Sequence, residues 1–238
     1  PPKIYFEGND FDNPESGDDA LIAVTGNSPQ DRVSVVFEDL EFMRPTKGSG
    51  YNIFTKRGMY LIKIWFASSV IFNNVTSTLE NGMISTLDIR ASDNITVNGC
   101  RFINNNGLLA GNTHGCILQL RGNMNNVHVT NNYFQKYGND ELLAIFGNAA
   151  PYNKLSGLFT DAENTYVYRR NITVTGNTFI YKKPTSSSKD CPTDVMITFG
   201  PTNSAAEGKE TQKVFYENVW VAYNNIEVNE HARRVFSF

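Results

Sequence analysis

Short runs of alternating apolar and polar residues extend along the chain, and they fall into two recurring phrases. The first reads N-I-T-V-N-G-C-R-F from Asn94 to Phe102, N-V-H-V-T-N-N-Y-F from Asn126 to Phe134, N-I-T-V-T-G-N-T-F from Asn171 to Phe179, and N-V-W-V-A-Y-N-N-I from Asn218 to Ile226. Looser copies stand at Val33–Phe42 and Ser69–Thr76. The second and fourth positions are apolar between polar neighbours, the period of a strand with one buried face. An Asn-rich bend follows, because Asn tolerates the left-handed backbone and bonds its own chain. The closing residue, most often Phe, then points back into a core.

A second phrase precedes each first one. It begins at Ala20 (A-L-I-A-V-T-G), Tyr60 (Y-L-I-K-I-W), Ser85 (S-T-L-D-I-R-A), Cys116 (C-I-L-Q-L-R-G), Leu142 (L-L-A-I-F-G), Val195 (V-M-I-T-F-G) and Arg234 (R-V-F-S-F). The copies begin roughly 25 to 50 residues apart, the range in which a period marks a solenoid. The uneven spacing predicts insertions at Asn148–Arg170, between Tyr181 and Thr193, and at Thr202–Lys213. Each rung is expected to hold two main strands with a bend between them. One rung cannot bury its apolar face alone, so it stacks on its neighbours. An antiparallel sandwich has no reason to repeat a two-strand phrase in register, and no 3.6-residue period persists to suggest helices. The fold expected is all-β: a right-handed, single-stranded parallel β-helix of about six to seven rungs with inserted loops. It would occupy residues 17–238 behind a lead-in over 1–16. Asn-on-Asn and Phe-on-Phe ladders should run up its axis.

Composition narrows the picture further. The 238 residues are 40% hydrophobic and 19% charged, a globular balance. The net charge of −3 offers no basic field for nucleic acid. Cys100, Cys116 and Cys191 are an odd number without tight pairing spacing, so no disulfide framework is expected. No apolar run is long enough for a membrane helix. No targeting signal is legible. The start at Pro-Pro without Met is expected of a piece of something longer.

Stacking rungs about 4.8 Å apart turns distant residues into columns. Aligning the upstream phrases gives one outward column of Ala23, Lys63, Asp88, Gln119 and Ala144, and another of Thr25, Trp65, Arg90, Arg121 and Phe146. Aromatic faces suit sugar rings, and arginine forks suit carboxylates or phosphates. Lys63, Trp65, Arg90, Arg121 and Phe146 are therefore the expected substrate-binding surface. An acidic edge precedes the same strands. Asp88, His114 and Asp140 recur at equal intervals, and Glu141 adjoins Asp140. Carboxylates with different environments can divide acid and base roles, so Asp140 and Glu141, with Asp88 and His114, are the catalytic candidates. Asp18, Asp19 and Asp194, which open other rungs, are secondary ones. No metal-ligand spacing and no phosphate-cradling glycine loop appears. The acceptor-like triplets at Asn74, Asn94 and Asn171 are parts of the repeat. His128 is read as a surface residue. Trp220, at the equivalent position of its own rung, either stacks on sugar or packs against another subunit.

The N-I-T-V-x-x-N-x-F rungs resemble the pectate-lyase-like β-helix superfamily, and among its members they look most like a bacteriophage tailspike or appendage domain. The resemblance implies a homotrimer on the virion tail, outside the cell. It implies binding and cleavage of a bacterial capsular polysaccharide, lipopolysaccharide or teichoic acid by acid/base hydrolysis. It also leaves room for a lyase, for a phosphodiesterase, and for a non-catalytic receptor-binding or structural module. Hydrolysis needs no cofactor, whereas the lyase branch would use calcium. The G-D-D-A-L-I-A stretch around Asp18 and Asp19 is similar to an acid-pair motif of polygalacturonases, but that family's other motifs are missing or displaced.

Overall fold

The computed structural model describes residues 3–5, 20–43, 60–79, 85–104, 116–137, 141–146, 166–182, 195–200, 213–228 and 234–237. Among them every regular element is a strand, and no helix is long and apolar enough to cross a membrane. The strands, numbered in chain order, form three parallel sheets. Sheet I holds β2 (Ala20–Thr25), β5 (Tyr60–Trp65), β8 (Ser85–Arg90), β11 (Leu118–Arg121), β14 (Leu143–Phe146), β17 (Val195–Gly200) and β20 (Arg234–Ser237). Sheet II holds β3 (Val33–Glu38), β6 (Ala67–Asn73), β9 (Ile95–Asn98), β12 (Met124–Thr130), β15 (Tyr166–Thr175) and β18 (Lys213–Ala222). Sheet III holds β1 (Lys3–Tyr5), β4 (Glu41–Met43), β7 (Thr76–Leu79), β10 (Arg101–Asn104), β13 (Tyr133–Tyr137), β16 (Thr178–Lys182) and β19 (Asn225–Val228). The chain visits sheets I, II and III in turn and repeats, so each strand pairs with the one three places along.

The upstream phrases make sheet I and the Asn-opened phrases make sheet II. The closing Phe belongs to a strand of its own in sheet III, so each repeat has three strands where two were expected. The reason is the Asn bend: it turns the backbone sharply enough that the residues after it start a new ladder. Positive φ marks the corner between sheets II and III at Asp39, Asn74, Gly99, Asn131, Gly176 and Tyr223. A second set marks the corner between sheets I and II at Phe66, Ala91 and Gly122. The opening Asn residues of the phrases, Asn94, Asn126, Asn171 and Asn218, are themselves left-handed. A β-carbon is costly in that conformation, and Asn offsets the cost with local hydrogen bonds.

The inner faces of all three sheets supply one hydrophobic cluster. In sheet III the inward column runs Phe42, Ser77, Phe102, Phe134, Phe179, Ile226. Phe134 stacks on Phe179 at 5.1 Å and on Phe102 at 5.8 Å between ring centroids. Ser77 interrupts the ladder. Phe37 and Phe72, stacked at 4.8 Å, approach it from sheet II, with Phe37 edge-on to Phe42. Buried Asn side chains form a second ladder. Asn132 and Asn177 each donate from Nδ2 to the next Asn Oδ1 at 2.9 Å, and that oxygen also accepts the lower residue's backbone N–H. The expected Phe and Asn ladders are thus present. Cys100 and Cys116 are free thiols. β1 lies within the 1–16 segment and pairs with β4, so sheet III begins there.

Candidate functional site

The two columns read from sequence are in the register expected. Ala23, Lys63, Asp88, Gln119 and Ala144 are cross-strand neighbours in sheet I, as are Thr25, Trp65, Arg90, Arg121 and Phe146. Their exposure differs from the expectation. Asp88 and Ala144 are 0% exposed and Arg90 is 2% exposed, while Trp65 and Gln119 are also buried. The outward side of sheet I is therefore closed to solvent at Trp65, Asp88, Arg90, Gln119 and Ala144, whereas Lys63 and Arg121 are half-buried and Ala23 and Thr25 are exposed. Alternation tells which side of a strand a residue faces but not whether that side is covered, and this corrects the picture of a solvated face.

Within this enclosed layer Asp88 is a hub. Its Oδ2 accepts from Trp65 Nε1 at 3.1 Å and lies 2.7 Å from Arg90 Nε. Arg90 Nη2 donates to Tyr60 Oη at 3.2 Å, and its guanidinium sits over the Trp65 ring at 4.7 Å. Lys63 Nζ lies 4.3 Å from the same ring. This arrangement fixes the outward face of β5 and β8. Glu141, before β14, is half-buried and accepts from the Cys116 thiol and from Thr198 Oγ1, each at 3.3 Å. Ala144 is two strands from Asp88, and Glu141 precedes Ala144 by three positions. The backbones of the two acids therefore stand about 14 Å apart, from strand spacing and rise. Arg121 is half-buried at the end of β11, beside the buried corner into sheet II. His114, Asp140, Asp18, Asp19 and Asp194 lie outside the described residues, as does the side chain of Phe146.

The open chemistry is on the outward side of sheet II. β15 and β18 are its longest strands, and a shared Asn sets their register, so Tyr168 lies beside Phe215 and Tyr166 beside Lys213. Phe215 stacks on Tyr168 at 5.2 Å and reaches Tyr166 at 6.3 Å. All three rings are exposed. Arg170 lies over the Tyr168 ring at 4.7 Å and pairs with Glu217 at 2.8 Å, while Lys213 lies over Tyr166 at 5.7 Å. Further along β18, past Asn218, Trp220 is 59% exposed. It continues the outward column of Val36, Ile71, Thr96, His128 and Thr173. β18 stands last in the strand order of sheet II among the described residues. The placement of Trp220 and His128 follows the sequence reading. Tyr166, Tyr168, Arg170, Lys213 and Phe215 were missed, although the signal exists. Aligning Y-V-Y-R-R-N with K-V-F-Y-E-N at the Asn stacks the aromatics.

No family model, curated protein or solved structure matches the chain. Among the described residues no cluster of His, Cys, Asp and Glu could hold a metal ion.

Proposed function

We propose that this chain is a right-handed parallel β-helix module that binds an extended glycan or glycan-phosphate polymer along the outward face of β15 and β18. The closing of three parallel sheets into one solenoid is the reading that best accounts for their cyclic strand order and shared core. The right hand follows from the rule for parallel crossovers. The observation that carries the functional reading is the exposed row of Tyr166, Tyr168, Phe215 and Trp220 with Lys213 and Arg170 beside it. Phe215 and Trp220 are five positions apart on one strand with left-handed Asn218 between them, which sets them at most about 16 Å apart, a span suited to sugar units of one chain. Rings offer apolar faces to sugar C–H groups, and Lys213 suits an acidic or phosphorylated polymer.

Binding is favoured over hydrolysis by the surroundings of Asp88. Asp88 is enclosed and held by Trp65 and Arg90. In keeping with the tailspike resemblance, we place the module on the tail of a virion, as part of a homotrimer that attaches to a bacterial surface polymer.

The test is co-sedimentation or surface-based binding with a panel of capsular, lipopolysaccharide and teichoic-acid polymers, with released reducing ends, unsaturated sugars and phosphomonoesters assayed in parallel. Phe215→Ala and Trp220→Ala should each weaken polymer binding about tenfold, equivalent to about 1.4 kcal/mol. Unchanged affinity in both variants would sink the reading. A loss of oligomer mass in place of affinity would assign the face to subunit contact, and polymer cleavage would return the acids to consideration.

A further inference from the structure

The inner side of β15 carries a residue that does not belong in an apolar core. Arg169 occupies the column that holds Met124 one strand below and Tyr216 one strand above. Its side chain is fully buried. Nη1 donates to Tyr216 Oη at 3.2 Å, and the guanidinium lies over the Tyr216 ring at 5.5 Å. Nε and Nη2 have no hydrogen-bond partner. The Tyr216 hydroxyl is itself committed to the backbone, with Ile145 O at 3.0 Å and Gly200 O at 3.4 Å. Among the described residues no carboxylate pairs with Arg169. A second guanidinium, Arg121, is close enough to repel it.

Buried donors are nearly always satisfied, and a buried charge is ordinarily paired. Arg169 departs from both rules. Burial, with Arg121 adding to it, pulls the guanidinium down to about 10, so it stays charged at neutral pH despite its surroundings. Nothing apolar requires an arginine here, since Met124 fills the same position one strand away. The group that would complete the arrangement has negative charge and several acceptor oxygens, which a guanidinium fork engages two at a time. Arg121 is half-buried, so the corner reaches towards solvent on its side.

We propose that Arg169, within the field of Arg121, forms an oxyanion site at the corner between the ends of the sheet I strands and the start of β15, and that it takes a tetrahedral phosphate-type group. That group is either a free ion or a phosphodiester of a bound polymer. The site is independent of the aromatic face, because it lies on the other side of the sheet.

The experiment is thermal unfolding of the whole chain in sodium phosphate, in sodium chloride of matched ionic strength, and with a short glycerol-phosphate oligomer. Phosphate should raise the midpoint progressively with concentration, beyond the chloride control, as expected for a ligand of the native state. R169M should lose that phosphate-specific shift, and R169K should keep only part of it, because the fork is gone. If R169M does not fold, phosphorus NMR line broadening on the unmodified chain, and its reduction in R121M, give the same answer. A shift with the oligomer alone would identify the source as polymer, and a shift with inorganic phosphate alone would identify a resident ion. Equal midpoints in phosphate and chloride would overturn the proposal and leave water as the partner of Nε and Nη2. An undiminished shift in R169M would overturn it as well.

Discussion

Removing the Phe134 ring probes the stacked core at its centre. The side chain is fully buried, and its ring lies between Phe179 at 5.1 Å and 8° and Phe102 at 5.8 Å and 24°. Phe→Ala in a packed core costs about 3–5 kcal/mol, the spread depending on how far the site collapses. Collapse is restricted here, because β13 is hydrogen-bonded on both sides, to β10 and β16, and cannot move inward alone. The cost should therefore sit near the upper end, about 4–5 kcal/mol. The two ring pairs account for about 0.5–1.5 kcal/mol each beyond area burial. The assay is equilibrium urea unfolding followed by circular dichroism and by tryptophan fluorescence, with coincident transitions as the condition for quoting a free energy. Tyr223→Ala is the control, since that residue is 86% exposed. It should stay within about 0.5 kcal/mol. A double-mutant cycle of Phe134 and Phe179 should return a coupling of about 0.5–1.5 kcal/mol. A Phe134→Ala cost below about 1 kcal/mol, or no coupling to Phe179, would refute the stacked ladder.

Asp88→Asn should destabilise by about 3–5 kcal/mol in the same assay, because buried Arg90 loses the Asp88 charge beside it. Adding Arg90→Met should recover part of that loss, and no recovery would mean the pair is not the source. Burial pushes the Cys100 thiol up from 9.0 to about 11, so the native state keeps its proton after the unfolded chain has lost it. The unfolded state is thus favoured increasingly between pH 9 and 11, and stability attributable to Cys100 falls over that window by on the order of 2 kcal/mol. Comparing the chain with Cys100→Ala should show a steeper pH slope in the former, and parallel slopes would contradict it. Asn126 has φ of 59°. Asn126→Gly should therefore change the urea midpoint little, whereas Asn126→Val should cost about 1–2 kcal/mol from left-handed strain.

Much of the architecture was legible because parallel stacking writes itself into sequence as a repeated phrase. Asn94, Asn126, Asn171 and Asn218 share one phrase position and one left-handed conformation. The outward columns through Asp88 and Arg90 could be aligned from their apolar neighbours alone. What failed was exposure. Covering a sheet face depends on segments far away in sequence, and no local period encodes it. Asp88 and Arg90 alternate with Leu87 and Ile89 as surface residues would, yet they are enclosed. The third strand of each repeat was read as the tail of a bend because it is short. The aromatic face was missed because Tyr166, Tyr168, Lys213 and Phe215 lie upstream of the repeated phrase, where β15 and β18 extend beyond the shorter strands. Arg169 was hidden for a related reason, as one of two adjacent arginines whose alternation places one outside and the other in the core.

The stacking itself is tested most directly by spin-label distances up one exposed column. Val36, His128, Thr173 and Trp220 belong to a single outward column of sheet II, with Ile71 and Thr96 intervening between the first two. Labels paired from Val36 to His128, Thr173 and Trp220 span three, four and five strand steps. Pulsed dipolar spectroscopy should give mean separations near 14, 19 and 24 Å, rising by about 4.8 Å per step once the common label offset is removed. A series that fails to rise in equal steps, or any pair lying far off that line, would contradict the parallel stack and dissolve every column built on it.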